Sequence, residues 1–85
     1  MTYEEIESIF ELTESLPYER RRFAFHDGMR ILFDLFEESD DVHAEHDQLW
    51  YGTVSDVLDK IKPDQVRRLA ELCWFIDEDS FSFFT

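Results

Sequence analysis

The sequence predicts an all-α fold, a compact bundle of four helices with an aromatic C-terminal tail packed on it. Three observations support this prediction. Apolar residues recur at helical spacing along most of the 85-residue chain. Both prolines stand where a helix would begin, and only two glycines occur. The hydrophobic fraction of 44% is high enough for a folded core, and the length suits a single domain covering residues 1–85.

The first helix is predicted over about residues 3–15. Thr2 and Glu5 have the spacing of a capping box, in which the N-cap hydroxyl and the third helical residue satisfy each other's backbone N–H groups. Ile6 and Ile9 then begin an apolar stripe. The opposite face carries four glutamates, Glu4, Glu7, Glu11 and Glu14.

The second helix is predicted from Pro17 to about residue 37, because proline suits the first turn of a helix. Its core stripe consists of Phe25, Met29, Leu32 and Phe36. The Asp27-Gly28 pair is a typical turn dipeptide and would kink or split this helix.

The third helix is predicted over about residues 41–61, where the 3.6-residue pattern is cleanest. The residues in this pattern are Val42, His46, Leu49, Trp50, Thr53, Val54, Val57, Leu58 and Ile61. Gly52 would weaken this helix by about 1 kcal/mol. The bundle would have five helices if the chain breaks at Gly28 or Gly52.

The fourth helix is predicted over about residues 63–77, again with a proline, Pro63, in its first turn. Beyond it the helical period is lost, and Phe81 and Phe83 alternate with serine, which indicates an extended segment. Since exposed aromatic residues promote aggregation, we expect this tail to fold back on the bundle or to dock a partner.

The charge distribution is the strongest functional signal. Asp and Glu number 21 against 8 Lys and Arg, a net charge of -13. No Lys or Arg occurs between Ile31 and Asp59, where nine acids lie. As one straight helix, residues 34–59 would be about 39 Å long, with roughly one charge per 4 Å, against a phosphate every ~3.4 Å along a DNA strand. Such a surface repels nucleic acid and anionic membranes and attracts basic proteins.

Motifs for catalysis or metal binding are weak. His43 and His46, with Glu45 between them, lack the His-Glu-x-x-His spacing of metalloproteases. The run from Asp77 to Ser80 lacks the glycine of a helix-loop-helix calcium site. Cys73 lies in an apolar run and is expected to be a buried hydrophobe. We therefore expect no catalytic residue, metal or cofactor, and a protein that is not an enzyme.

In composition alone, the chain resembles phage-encoded inhibitors that imitate DNA, as well as acidic immunity proteins and antitoxins. The resemblance implies a non-enzymatic protein that blocks a basic nucleic-acid-binding surface on a nuclease or similar target, as in anti-restriction or anti-CRISPR activity. The residues expected to bind the partner are Asp34, Glu37, Glu38, Asp40, Asp41, Glu45, Asp47, Trp50 and Tyr51.

Two alternative functions are compatible with the same sequence. An immunity protein or antitoxin would neutralise one cognate toxin through a similar acidic face. A structural or assembly subunit would dock through the aromatic tail, Phe81 to Phe84. We expect a cytoplasmic protein, because the single cysteine precludes an internal disulfide and no apolar run approaches a membrane-spanning length. For the favoured inhibitor we expect a monomer or homodimer.

Overall fold

The computed structural model describes residues 1–17, 19, 23–37 and 41–84. Within these residues the chain forms three α-helices and a four-stranded antiparallel sheet, an α+β fold. The elements are α1 (Tyr3–Leu12), α2 (Ala24–Phe36), β1 (Val42–Glu45), β2 (Gln48–Tyr51), a 3₁₀ helix (Val54–Val57), α3 (Pro63–Glu71), β3 (Phe75–Asp77) and β4 (Ser80–Phe84). The predicted all-α helical bundle is therefore wrong.

Helix α1 begins at the predicted capping box. The Thr2 hydroxyl accepts from the backbone N–H of Glu5 at 3.2 Å, and the Glu5 carboxylate accepts from the backbone N–H of Thr2 at 2.8 Å. Hydrogen bonding of the Glu5 carboxylate by the Thr2 backbone N–H first, and by the Thr2 side chain second, lowers the pKa of Glu5 below its ordinary value. The helix ends at Leu12, before the predicted end at residue 15.

Helix α2 is continuous through Gly28, so the expected break does not occur. The Trp74 indole packs directly on Gly28, and any Cβ at this position would overlap the ring. The Trp74 Nε1–H donates to the carbonyl of Ala24 at 3.2 Å. Glycine here therefore permits the close approach of a side chain rather than a turn. The helix ends at Glu37, whose φ of 55° is left-handed.

The predicted helix at 41–61 is replaced by the hairpin β1–β2 and the 3₁₀ helix. His46 and Asp47 form the hairpin turn, and Gly52 follows β2 with φ of +66°. Within β2 and the 3₁₀ helix, the residues that reach the core are Leu49, Tyr51, Val54 and Val57. These residues are separated by two, three and three positions. The spacing resembles that of an α-helix, because a strand with a period of two is followed by a 3₁₀ helix with a period of three.

Helix α3 begins at the predicted Pro63 but ends at Glu71. The backbone N–H groups of Cys73 and Trp74 donate to the carbonyls of Ala70 and Leu69, at 3.1 and 2.9 Å. This pair of bonds is a Schellman motif, with Cys73 in its left-handed position at φ of 71°. The motif ends the helix, and the chain continues into β3 instead of completing the predicted helix to residue 77.

The strand order in the sheet is β1-β2-β4-β3, with every neighbouring pair antiparallel. The expected tail is therefore the inner strand β4, which pairs with β2 and β3. The helices cover one face of the sheet, where Phe81 is fully buried and contacts Phe10 and Phe36. Fully buried residues from the helices complete the core: Ile6, Leu32, Val66 and Leu69.

Candidate functional site

The acids predicted to bind a partner are spread over several elements. Asp34 is exposed on α2, and Glu37 caps that helix, with its carboxylate 3.8 Å from the Lys60 ammonium. Asp41 precedes β1, Glu45 ends it and Asp47 lies in the hairpin turn, all exposed. Glu38 and Asp40 lie outside the described residues. These positions do not form one helical face.

The described acids between residues 34 and 59 therefore do not lie along one straight helix. A straight helix of that length would be about 39 Å long, whereas the molecule measures 33 × 27 × 21 Å. Three of the exposed acids, Asp41, Glu45 and Asp47, follow the edge strand β1 and its turn, where the chain rises about 3.4 Å per residue and successive side chains point to opposite faces. In this geometry the described carboxylates do not repeat at regular intervals along one line, as the phosphates of a DNA strand do.

Trp50 and Tyr51 are neighbours in β2 and point to opposite faces of the sheet. Tyr51 is 1% exposed and packs edge-on against Phe33 and Phe36 beneath the helices. Trp50 is partly exposed on the other side. Of the two aromatic residues expected to anchor a partner, only Trp50 therefore presents a surface in this fold.

The face of the sheet opposite the helices forms a mixed aromatic and polar surface, which we call the open face. Its members follow from strand alternation and register: His43, Glu45, Gln48, Trp50, Phe75, Asp77, Ser80, Ser82 and Phe84. The His43 and Trp50 rings lie 5.4 Å apart, and those of Phe75 and Phe84 lie 4.9 Å apart. Phe84 is 61% exposed.

A hydrogen-bond network holds the centre of the open face in place. Asp77 Oδ2 accepts from Trp50 Nε1 and from Gln48 Nε2, both at 3.0 Å. Gln48 Nε2 also donates to Ser82 Oγ at 2.9 Å, and Ser82 Oγ donates to the carbonyl of Leu49 at 2.8 Å. The buried Ser82 is thereby satisfied, and the indole of Trp50 is fixed across the sheet.

A groove of about 360 Å³ lies beside this network, and we call it the Trp50 groove. It is lined by His43, Glu45, Trp50, Glu78 and Ser80. Glu45 lies at the end of β1 and Glu78 in the turn between β3 and β4, so two acidic residues line the same groove as one indole ring. His43 Nε2 lies 3.7 Å from Glu45 Oε2.

The segment examined as a calcium site is a hairpin turn. Glu78 and Asp79 have φ of 52° and 60°, the positive values that a tight two-residue hairpin turn requires. Asp79 accepts from the Ser55 hydroxyl at 2.9 Å, and its carbonyl accepts from the N–H of Val54 at 2.7 Å. Partial burial, followed by a hydrogen bond with Asp79, raises the pKa of Tyr3. Asp79 thus joins the turn to the 3₁₀ helix and α1.

The histidines examined as metal ligands are placed by the hairpin. His43 stands on the open face, and His46 occupies the turn with φ of 54°. Within residues 1–17, 19, 23–37 and 41–84, no three His, Cys, Asp or Glu side chains come close enough to hold a metal ion. Cys73 is partly exposed rather than fully buried.

Sequence reasoning missed Gln48 and Ser82 of the open face, and it considered Asp77, Glu78 and Ser80 only as calcium ligands. The alternation of serine and phenylalanine around Phe81 was a usable signal, since it assigns the serines to one face of a strand. An extended segment must also find hydrogen-bond partners for its backbone, which points to further strands in the chain.

No helix among the described residues combines the length and apolar character needed to cross a bilayer. Searches among protein-family models, curated proteins and solved structures found no match to this chain.

Proposed function

We propose that this chain is a non-enzymatic inhibitor that covers a basic, nucleic-acid-binding surface on a target protein, in the manner of phage proteins that block host restriction or CRISPR nucleases. The observation that carries the proposal is an exposed and largely uncompensated negative charge. The net charge is -13 on 85 residues, in a molecule 33 Å in its longest dimension. A field of one sign attracts basic surfaces over distances beyond direct contact.

Few of the described acids lie close to a Lys or Arg in the part of the chain that the structure describes. Among the described residues, the carboxylates within 4.0 Å of a Lys or Arg nitrogen are Asp27, Glu37, Asp64 and Glu71. Exposed pairs of this kind neutralise charge but add little stability. On α1, the glutamates Glu4, Glu7 and Glu11 are exposed along the helix with no described cation at that distance. This excess charge is available to a partner.

The negative charge and the aromatic residues of the open face would affect different steps of binding, namely association and dissociation. Long-range attraction raises the association rate and selects against acidic partners, and it weakens as salt screens the charges. Aromatic side chains that become buried on contact slow dissociation, because tryptophan and tyrosine contribute heavily to interface energies. Trp50 and the exposed Phe84 are the side chains on the open face that suit this role.

The test is capture of a partner by the immobilised protein from a nuclease-treated bacterial lysate, followed by binding measurements with the purified partner. Duplex DNA at constant salt should displace the partner, and affinity should fall at least about tenfold between 0.05 and 0.5 M NaCl. The Asp34→Lys/Asp47→Lys variant should weaken binding by about tenfold or more. The Glu7→Lys/Glu11→Lys variant makes the same charge change on α1, near the opposite edge of the sheet, and should weaken it less.

Other outcomes would favour other functions. A partner retained in the presence of excess DNA contradicts mimicry and supports the immunity-protein or antitoxin alternative. An affinity that does not change with salt contradicts any function carried by the acidic surface. In the assembly alternative a partner would dock on the tail through Phe84, which is 61% exposed, since Phe81 is buried and β4 lies inside the sheet.

A further inference from the structure

We propose that the Trp50 groove binds an arginine side chain of the basic partner, with the guanidinium stacked on the Trp50 indole between the carboxylates of Glu45 and Glu78. This binding mode rests on the function proposed above, and arginine is the side chain that the partner would insert. Its basis is one groove of about 360 Å³ whose lining combines an aromatic ring with two acids from different hairpins.

The indole of Trp50 is already oriented for such a contact. Its Nε1–H donates to Asp77 at 3.0 Å, and Asp77 is also held by Gln48. Because the polar edge of the ring is satisfied from within the sheet, the remaining exposed part of Trp50 is apolar ring surface. Tryptophan attracts cations over its face more strongly than the other aromatic side chains do. Little ordering of Trp50 is therefore needed on binding.

The two carboxylates supply charge complementarity. No described Lys or Arg lies within 4.0 Å of Glu45 or Glu78, although His43 lies 3.7 Å from Glu45. The side chain of Glu45 is 62% exposed, and Glu78 is also exposed. Both are therefore free to turn towards a cation, and the cation would screen their mutual repulsion.

Arginine fits this groove better than lysine. A guanidinium is planar, stacks on an aromatic ring and keeps N–H donors at its edge for two carboxylates at once. An ammonium is a compact and strongly hydrated point charge, which cannot stack in this way. Arginine is also a common phosphate-binding residue of nucleic-acid-binding proteins, the class of target proposed above.

The experiment uses the whole ¹⁵N-labelled protein and the tripeptide acetyl-Gly-Arg-Gly-amide. The two indole N–H signals in the NMR spectrum report on Trp50 in the groove and on Trp74, which is 2% exposed and serves as an internal reference. The Trp50 signal should shift and saturate, with a Kd of the order of 1 mM, while the Trp74 signal stays in place. The matching lysine tripeptide should bind several-fold more weakly.

Two charge-matched variants test the lining. Glu45→Gln/Glu78→Gln should weaken binding of the arginine tripeptide by about fivefold. Glu11→Gln/Glu14→Gln changes the net charge equally, away from the groove, and should change binding less than about twofold because salt screens distant charges. All four glutamates are exposed, and the amide spectrum of each variant verifies that it is folded.

The inference is overturned if Trp50 does not shift, if lysine binds as well as arginine, or if both variants weaken binding equally. It is also overturned if the Trp50 signal shifts with protein concentration alone, since a second copy would then occupy the groove.

Failure of arginine binding in the Trp50 groove can be distinguished from failure of the proposed function. A partner still displaced by DNA from the Glu45→Gln/Glu78→Gln variant at unchanged affinity would refute the groove only, whereas peptide binding without any DNA-displaced partner would refute the function only.

Discussion

At the residue scale, Cys73 occupies a backbone position that suits glycine. Its φ of 71° is left-handed, and it lies at the C′ position of the Schellman motif that ends α3. A side chain with a Cβ is strained in this conformation by roughly 1 kcal/mol. The helix therefore ends here because of the surrounding packing, with Trp74 locked against Ala24 and Gly28, and against the local preference of the residue.

We predict that Cys73→Gly is more stable than Cys73→Ala by about 1 kcal/mol, measured by urea unfolding. Both variants remove the thiol, so the difference between them isolates the left-handed backbone. Relief of strain in the folded state outweighs the greater freedom that glycine gives the unfolded chain. Equal stabilities for the two variants would contradict the assignment of Cys73 to the left-handed position.

Trp50 and Tyr51 are adjacent in the chain but have different roles in the structure. The sequence presented them as a pair of interface anchors, but strand alternation separates them, so Tyr51 builds the core and Trp50 joins the open face. In a predicted helix, neighbouring residues lie about 100° apart on adjoining surfaces. The helical prediction therefore could not place Trp50 and Tyr51 on opposite faces.

At the element scale, β4 determines whether the C-terminal segment is structural or a docking tail. Phe81 is fully buried against both sheet and helices, while Phe84 on the same strand is 61% exposed. We predict that Phe81→Ala costs about 3–5 kcal/mol, a large part of the stability of a domain this small. Phe84→Ala should cost less than about 1 kcal/mol. Thermal unfolding followed by circular dichroism measures both variants.

If Phe81→Ala did not lower the stability, the C-terminal segment would be independent of the core. If Phe81→Ala melted at the temperature of the parent protein, β4 could not be an inner strand of the sheet. Paired with Phe84→Ala, the comparison controls for the loss of one phenyl ring at two positions of the same strand.

At the scale of the whole molecule, the acidic surface should make stability depend on salt. With a net charge of -13, self-repulsion disfavours the compact state, and the Debye length falls from about 30 Å at 0.01 M to about 8 Å at 0.15 M. We predict that Tm rises over this range of NaCl, by about 4–8 °C if screening contributes about 1 kcal/mol. Scanning calorimetry at fixed pH measures the change.

A matched variant separates screening from general salt effects. Glu4→Gln/Glu7→Gln/Glu11→Gln reduces the charge of α1 without removing its capping box, and should respond less steeply to salt than the parent. A Tm that falls with salt in the parent protein would mean that ion pairs, such as those of Arg68 with Asp27 and Glu71, outweigh self-repulsion.

The sequence by itself determined those features that depend on neighbouring residues. Thr2 and Glu5 marked the start of α1, Pro63 marked the start of α3, and the composition established the excess of acid. Each of these signals acts within about one helical turn, or is independent of fold altogether. The alternation around Phe81 also identified an extended segment, without its partners.

Only the tertiary structure decided the sheet, and with it the candidate site. Ser82 pairs with Trp50 on one side and with Phe75 on the other, contacts between segments far apart in the chain. Strand pairing of this kind is non-local, and short strands joined to a 3₁₀ helix imitate helical spacing. The Trp50 groove therefore could not be read from the sequence, because its two glutamates meet one indole only when both hairpins join the same sheet.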